Sequence, residues 1–289
     1  MTDKHATRVW IWGAKPHLVR LPLAPLTLSL EDLGYGASCF SFWLHDSLVS
    51  ESVLREKAFE LGLNIAFLPG DFSLKHYKVL CSDMDGTLID DEVFGLLTKE
   101  YHVEKAYEDV MAQPLEQTAS LEARARLLAG MKASALPVLT KHLKLQPEVK
   151  AWIERTKAEG LRSYIVSSGI KAMADVMASE LGMTGAVANR LQEKDGLLTG
   201  VMEGPQPQHP LLHGELKAKA LAHLASINNA TPAEVIAQGD SGNDVPMLQA
   251  AGLSIAVGTS SALRGFADVV LNEGAFAQWL VLLRRVDPQ

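Results

Sequence analysis

The sequence predicts an α/β protein: a parallel sheet covered by helices on both faces, with a small helical insert and an N-terminal α+β segment. Three observations support this. From about residue 79 to residue 257, short apolar runs alternate with helix-spaced segments, the pattern of strands buried on both faces by crossover helices. Residues 92–155 are almost entirely helix-like: ASLEARARLLAGMKA has apolar residues at helical spacing and few β-branched clusters appear. Residues 1–74 mix strand and helix signals and are broken by Pro16, Pro22 and Pro25.

Taken in order, residues 8–12 are a short strand candidate and 37–45 (ASCFSFWLH) alternate like a half-buried strand. Residues 53–61 (VLREKAFEL) have helical spacing and 64–67 return as a strand. Pro69-Gly70-Asp71 is a turn signal and the expected boundary. The unit 1–74 holds no catalytic constellation, and its Trp and Phe residues read as core. It is a candidate regulatory or dimerising domain. A buried strand at 79–82 follows, then the insert. A strand at 161–166 ends at Ser167-Ser168-Gly169 and leads into a helix at 170–181. Residues 185–188 form a short strand, and 189–201 a hairpin turning at Asp195-Gly196. GPQPQHP is a loop, 215–227 a helix, 235–238 a strand ending at Gly239-Asp240, 245–251 a helix and 253–257 a strand. The expected division is 1–74, a core of 75–91 and 156–289, and a helical cap of 92–155.

The chain has 289 residues, 47% hydrophobic and 21% charged, the balance of a globular protein. Its net charge of -7 argues against nucleic-acid binding, which needs a basic face. Cys39 and Cys81 are the only cysteines, too few for a disulfide framework or a thiolate zinc site. The N-terminus MTDKHATRVW lacks the apolar core of a signal peptide and no apolar run reaches membrane-spanning length, so a cytoplasmic enzyme without membrane partners is expected.

One stretch breaks the pattern of buried strands. VLCSDMDGTL ends an apolar run in two carboxylates, Asp83 and Asp85, followed by a glycine. Charge at the end of a core strand is costly unless it is paired or bound to a metal. Side chains two apart in extended backbone project to the same side, so the two acids repel unless a cation lies near them. Oxygen donors of this kind suit Mg²⁺. Open parallel sheets bind ligands outside the carboxyl ends of their strands. Two further predicted strands end there in polar residues: Ser167 and Ser168, and Asp240 with Asn243 and Asp244. Asp240 is the natural third contributor to a cation site. Ser167-Ser168-Gly169 offers a hydroxyl and backbone N–H groups at the mouth of a helix, an anion cradle. Lys217 lies in the helix before the third strand. Alone, each is also a cap, a turn or a solvated side chain; together their chemistries are complementary.

These residues resemble the haloacid dehalogenase superfamily and, within it, the phosphoserine phosphatases. DMDGTL at 83–88, the strand-terminal Ser167, Lys217 and GDSGND at 239–244 occur in the family's order. Glu92, MAQPLEQTASLEARARLL, ANRLQEKDGLLTGVMEG and KAKALAHLA extend the likeness. The resemblance implies a Rossmann-like core, a small helical cap and Mg²⁺-dependent hydrolysis of a small phosphate monoester, O-phospho-L-serine, in serine biosynthesis. It implies that Asp83 is the nucleophile and Asp85 the acid and base. The Asp83 carboxylate, the Asp85 backbone carbonyl and Asp240 would hold Mg²⁺, with Asp244 behind them. Ser167, the Ser168 N–H, Lys217 and Asn243 would hold the phosphoryl group. Glu92 would accept the substrate ammonium, Arg124 its carboxylate, with Arg126 the fallback if the helix register differs, and Met111 would line the pocket. The chain departs from the family at Gly86, often Ser, at Ser168-Gly169-Ile170, usually Gly-Gly-Phe, at Gln117, usually an apolar aromatic, and in a longer GPQPQHPLLHGE loop. Gln117 and Ile170 are expected to border the amino-acid pocket. A phosphatase for another small ester and a non-catalytic amino-acid sensor are the alternatives. A homodimer is an allowed assembly.

Overall fold

The computed structural model describes residues 7–13, 31–34, 37–44, 49–258, 260–271 and 276–287. The strand that carries the acid pair, β5 (Val79–Ser82), lies inside a single 11-stranded sheet. Its side chains alternate between two cores. Leu80 packs on one face, and Val79 and Cys81 on the other, as a strand covered on both sides requires.

Around β5 the pairing is parallel. β6 (Arg162–Ile170) and then β7 (Gly185–Lys194) lie on one side. β9 (Val235–Gly239), β10 (Leu253–Val257) and β11 (Val269–Leu271) follow on the other. The chain order reverses at β5, so the crevice at its carboxyl end is the switch point where such sheets bind ligands. β8 (Leu197–Glu203) closes one edge as the antiparallel arm of a hairpin. Asp195 and Gly196 at its turn have φ of 53° and 79°, the left-handed pair that a two-residue hairpin needs.

The N-terminal segment does not stand apart from this sheet. β1 (Thr7–Gly13), β3 (Ala37–Trp43) and β4 (Asn64–Pro69) pair antiparallel, with β2 (Glu31–Gly34) at the edge. β4 then pairs with β11. Trp10, Trp12 and Leu68 join the Leu80 face, whereas Val9, Ile11 and Phe67 join the Val79 face. The turn at Pro69 therefore marks a change of strand direction, not a gap between cores. The predicted helix at 53–61 is α1 (Glu51–Glu60). The predicted strand at 37–45 stops at Trp43, and His45 and the three early prolines lie outside the described residues.

The insert contains α2 (Val93–Glu100), α3 (Glu104–Met111), α4 (Gln117–Arg126) and α5 (Ala135–Leu139). The expected boundary at 155 falls inside α6 (Val149–Ala158), whose Trp152 and Ile153 are buried against the sheet. α7 (Lys171–Glu180), α8 (Glu215–Ile227), α9 (Val245–Ala250) and α10 (Ser261–Arg264) follow their strands, and α11 (Phe276–Val286) lies against α6 through Trp279 and Trp152, ring centres 6.1 Å apart. β2, β11, α10 and α11 had no clear sequence signal; β11 is three residues long and held by pairing on both sides. Among the described residues, no helix is long and apolar enough to cross a membrane.

Candidate active site

The carboxyl ends of β5, β6 and β9 converge. Asp83 and Asp85 follow β5, Ser167 and Ser168 interrupt β6, and Asp240, Asn243 and Asp244 follow β9. All of these but Asp244, together with Lys217, line one cavity of about 520 Å³. Asn243 faces it, whereas Asp244 lies beneath it, buried at 0% exposure.

Lys217, in the first turn of α8, is also 0% exposed. Its Nζ is 2.8 Å from Asp83 Oδ1 and 2.6 Å from Asp244 Oδ1. A buried ammonium is tolerable only with such partners. Asp244 Oδ2 accepts from the Ser241 N–H and hydroxyl, at 3.2 and 2.9 Å, so Asp244 is committed to shaping the turn and holding Lys217. The first glycine of GDSGND matters through contact: a Cβ on Gly239 would stand 2.9 Å from Asp244 Oδ2. Gly86 is required twice over. Its φ is +72°, and a Cβ there would stand 2.7 Å from Asp240 Cγ.

The anion cradle expected at Ser167-Ser168-Gly169 coincides with an irregularity in β6. Ser167 pairs with Ala188 and Ile170 with Asn189, leaving Ser168 and Gly169 outside the ladder. Ser167 Oγ accepts from the Gly169 N–H at 2.9 Å, and Ser168 Oγ accepts from Asn243 Nδ2 at 2.8 Å. The cradle opens at the start of α7, where helix N–H groups favour an anion.

Electrostatics separate the acids into roles. Burial pushes Asp83 up to about 6, reinforced by Asp244 and opposed by Lys217. Burial, then Asp83 and Asp244, push Asp240 up to about 7. Burial, then Asp83 and Glu92, raise Asp85 well above the usual carboxylate range. Burial alone would lower the Lys217 ammonium, but Asp244 and Asp83 outweigh it and hold it raised. Oxygens of Asp83, Asp240 and Asp244 lie within 4.8 Å of one another. This cluster, acidic and short of cations, fits a divalent metal ion. The Asp85 carboxylate is not in it. Asp85 Oδ2 accepts from the Val93 N–H at 3.4 Å and Oδ1 is buried without a partner, an oxygen free to hold a proton for transfer.

Across the cavity, Arg124 Nη1 is 2.9 Å from Glu92 Oε1 and its guanidinium lies 4.9 Å from the Phe94 ring. Met111 lines the opening, about half exposed. Arg126 pairs with Glu122 at 3.2 Å on the exposed face of α4 and is not in the cavity, whereas Arg124 lines it. Gln117 lines the cavity, whereas Ile170 is 1% exposed and packs in the core. The expectation that Ile170 borders the pocket is corrected: as the last β6 residue it points into the sheet's packing.

Three contributors were not singled out in the sequence, although Asn189 lies within the family-like stretch ANRLQEKDGLLTGVMEG. The Tyr107 hydroxyl donates to Glu92 Oε2; it lies one helical turn before Met111, which is the signal that could have marked it. Asn189, fully buried, donates to the Ser168 carbonyl at 2.8 Å and accepts from the Leu212 N–H at 2.7 Å. His213 bonds Gln117 Oε1 through Nδ1 and Thr118 Oγ1 through Nε2, both at 2.9 Å. The next residue, Gly214, donates to Asn243 Oδ1 at 2.7 Å. A continuous chain of contacts thus runs from α4 to the phosphate cradle through the long loop.

Residues 80–249 match the family model of haloacid dehalogenase-like hydrolases. The chain is 32% identical to phosphoserine phosphatase of Polaromonas sp. over 229 residues, 77% of this chain and 97% of that one. A substrate-bound phosphoserine phosphatase structure superposes with a TM-score of 0.64 at 27% identity, covering 71% of this chain and 97% of that one. A HAD family hydrolase from Salmonella enterica serovar Typhi reaches a TM-score of 0.80 at 20% identity, over 96% of this chain and 98% of that one, so the likeness in fold takes in the N-terminal strands. With its strand-end residues in the matching order, the chain belongs to the haloacid dehalogenase-like hydrolases and, within them, to the phosphoserine phosphatase family.

Proposed function

We propose that the protein is a Mg²⁺-dependent phosphoserine phosphatase that releases L-serine and phosphate through an aspartyl-phosphate on Asp83. The observation that carries this reading is the arrangement in one cavity of Asp83 held by Lys217 at 2.8 Å opposite a Glu92–Arg124 pair at 2.9 Å. Phosphoserine presents a phosphate to the first and a zwitterionic amino-acid head to the second.

Asp83, Asp240 and the Asp85 carbonyl would hold Mg²⁺, and Asp244 supports them. When bound, the ion supplies positive charge that lets an anionic carboxylate approach an anionic phosphate. An Asp83 oxygen bonds to phosphorus as the P–O ester bond breaks. Asp85, whose protonated form is favoured by burial and by Asp83 and Glu92, gives its proton to the departing serine oxygen. Asp85 then takes a proton from the attacking water, the Asp83–phosphorus bond breaks, and phosphate leaves. Ser167, the Ser168 N–H, Lys217 and Asn243 hold the phosphoryl oxygens throughout. Glu92 receives the ammonium, and Arg124 forks onto the carboxylate.

The test is phosphate release from a panel of monophosphates. Glu92→Gln and Arg124→Ala should each lower kcat/KM for phosphoserine by about 100-fold, the cost of removing a charged partner in a shielded site, with little effect on an aryl phosphate. Equal losses on both substrates would move the protein to another small ester.

A further inference from the structure

Beneath the nucleophile lies a line of buried polar side chains that touches no substrate. The Trp152 indole N–H donates to Gln238 Oε1 at 2.8 Å, the Gln238 amide donates to Ser82 Oγ at 2.8 Å, and the Ser82 hydroxyl donates to the Asp83 carbonyl oxygen at 2.6 Å. Trp152, Gln238 and Ser82 are each 0% exposed. Their strand neighbours Leu80, Cys81, Ile236 and Ala237 are all apolar and equally buried, so the sheet itself has no need of polar groups here. Such groups are costly when any one of them lacks a partner.

The direction of the line is forced. An indole only donates, so it fixes the Gln238 oxygen on its own side and turns the amide NH₂ toward Ser82. With its oxygen accepting from Gln238, the Ser82 hydroxyl is left to donate onward, and its proton falls on the Asp83 carbonyl. That carbonyl belongs to the planar peptide unit joining Asp83 to Met84. The N–H of the same unit, on Met84, opposes the rise of the Asp83 pKa, so the orientation of this plane bears on the carboxylate. A hydrogen bond accepted at the carbonyl end polarises the unit and strengthens its N–H as a donor. It also resists rotation of the peptide plane.

We propose that Ser82, Gln238 and Trp152 are positioning residues for the nucleophile: by holding the Asp83 carbonyl they anchor the Asp83–Met84 peptide plane and, with it, the angle of attack of the carboxylate. The line begins on α6, the helix by which the chain returns from the insert to the sheet, and ends one bond from the reacting residue. Because it acts on Asp83 and not on substrate, it sets kcat and leaves KM alone.

The inference rests on the phosphatase reading. Ser82→Ala, Trp152→Phe and the double variant should therefore be compared with wild type on both phosphoserine and 4-nitrophenyl phosphate. Ser82→Ala should lower kcat about 10-fold on either ester with KM within about twofold, since small misplacement of a nucleophile is costly. Trp152→Phe removes the N–H together with part of a buried ring that packs on Trp279, so its stability is measured alongside; in the folded variant kcat should fall about threefold. The double variant should be no slower than Ser82→Ala, because groups in one line act as a unit. Unchanged kcat in the folded variants, losses confined to KM, or additive losses in the double variant would overturn the proposal. If Ser82→Ala fails to fold, Trp152→Phe alone decides it by the split between kcat and KM. If only the aryl ester turns over, the phosphoserine reading fails, and the relay is still judged on the aryl ester.

Discussion

Lys217 decides whether the acids of this site can coexist. It is the only cation within 2.8 Å of Asp83 among the described contacts, and it also holds Asp244. Replacing it by Met leaves two buried carboxylates without their partner, a change of the kind that costs about 3–5 kcal/mol. Urea unfolding of Lys217→Met in chelator should show that loss, together with loss of turnover. Gly86 makes a different point. The left-handed φ and the closeness of Asp240 mean that Gly86→Ala must push Asp240 aside. Metal affinity should fall about 10- to 100-fold, as when groups supporting ligands are disturbed, while the fold survives; a metal titration by calorimetry checks this. The residues that meet at this scale were legible in the sequence because Asp83, Asp85, Ser167 and Asp240 are unusual at strand ends and Lys217 lies in the helix before the third of those strands. Tyr107, Asn189 and His213 were not legible. Each acts through a partner outside its own element; Asn189 sits in the family-like ANRLQEKDGLLTGVMEG run, but no local pattern says which backbone groups it holds, and Tyr107 and His213 look like ordinary helix and loop residues.

At the scale of elements, the insert is tied to the core by His213. Its contacts with Gln117 and Thr118 at the start of α4, and the Gly214–Asn243–Ser168 contacts beyond, link the lid of the cavity to its floor. His213→Ala should raise KM for phosphoserine about 3- to 10-fold, the worth of one or two exposed hydrogen bonds, with a smaller effect on kcat; steady-state kinetics would show the split. The turn before β9 offers a pH signature. Glu234 bonds Lys78 Nζ at 2.7 Å and accepts from the Thr231 N–H at 2.9 Å, and the Lys78 contact, then Thr231, lower its pKa to about 2. A carboxyl lowered on folding stabilises the protein above its unfolded pKa, and that contribution is lost as pH falls through the folded value. Glu234→Gln should therefore lower Tm slightly at neutral pH. Its gap from wild type should close as pH falls from the ordinary glutamate range toward 2. Thermal scans across that range check the sign. Helix and strand order was readable from 79 to 257 because apolar runs and turn residues agree there. β2 was not, since Glu31 and Asp32 are poor strand formers and only pairing with β3 makes them one.

For the whole molecule, the segment before residue 75 reads differently in sequence and in space. Its prolines and the Pro69-Gly70-Asp71 turn suggest a boundary, yet β4 pairs with β11 and its residues share both cores with β5. Sequence pattern shows where direction changes and not which edges meet. Full-length protein should unfold in one cooperative transition seen equally by tryptophan fluorescence and far-UV circular dichroism. A fragment starting at residue 75 would leave the β11 edge and the Trp279 surface bare and should be insoluble; a soluble, active fragment would instead restore the two-unit reading. What the sheet achieves as a whole is to bring three strand ends to one point, where, in the proposed reaction, Asp83 would meet the phosphoryl group. The most direct measurement is phosphate release from phosphoserine by wild type and Asp83→Asn, each with Mg²⁺ and with chelator. The expected result is turnover only by wild type with Mg²⁺, with Asp83→Asn folded and slower by about 10⁴-fold or more, as for the loss of other nucleophiles. Turnover by Asp83→Asn near the wild-type rate, or wild-type turnover indifferent to chelator, would contradict it.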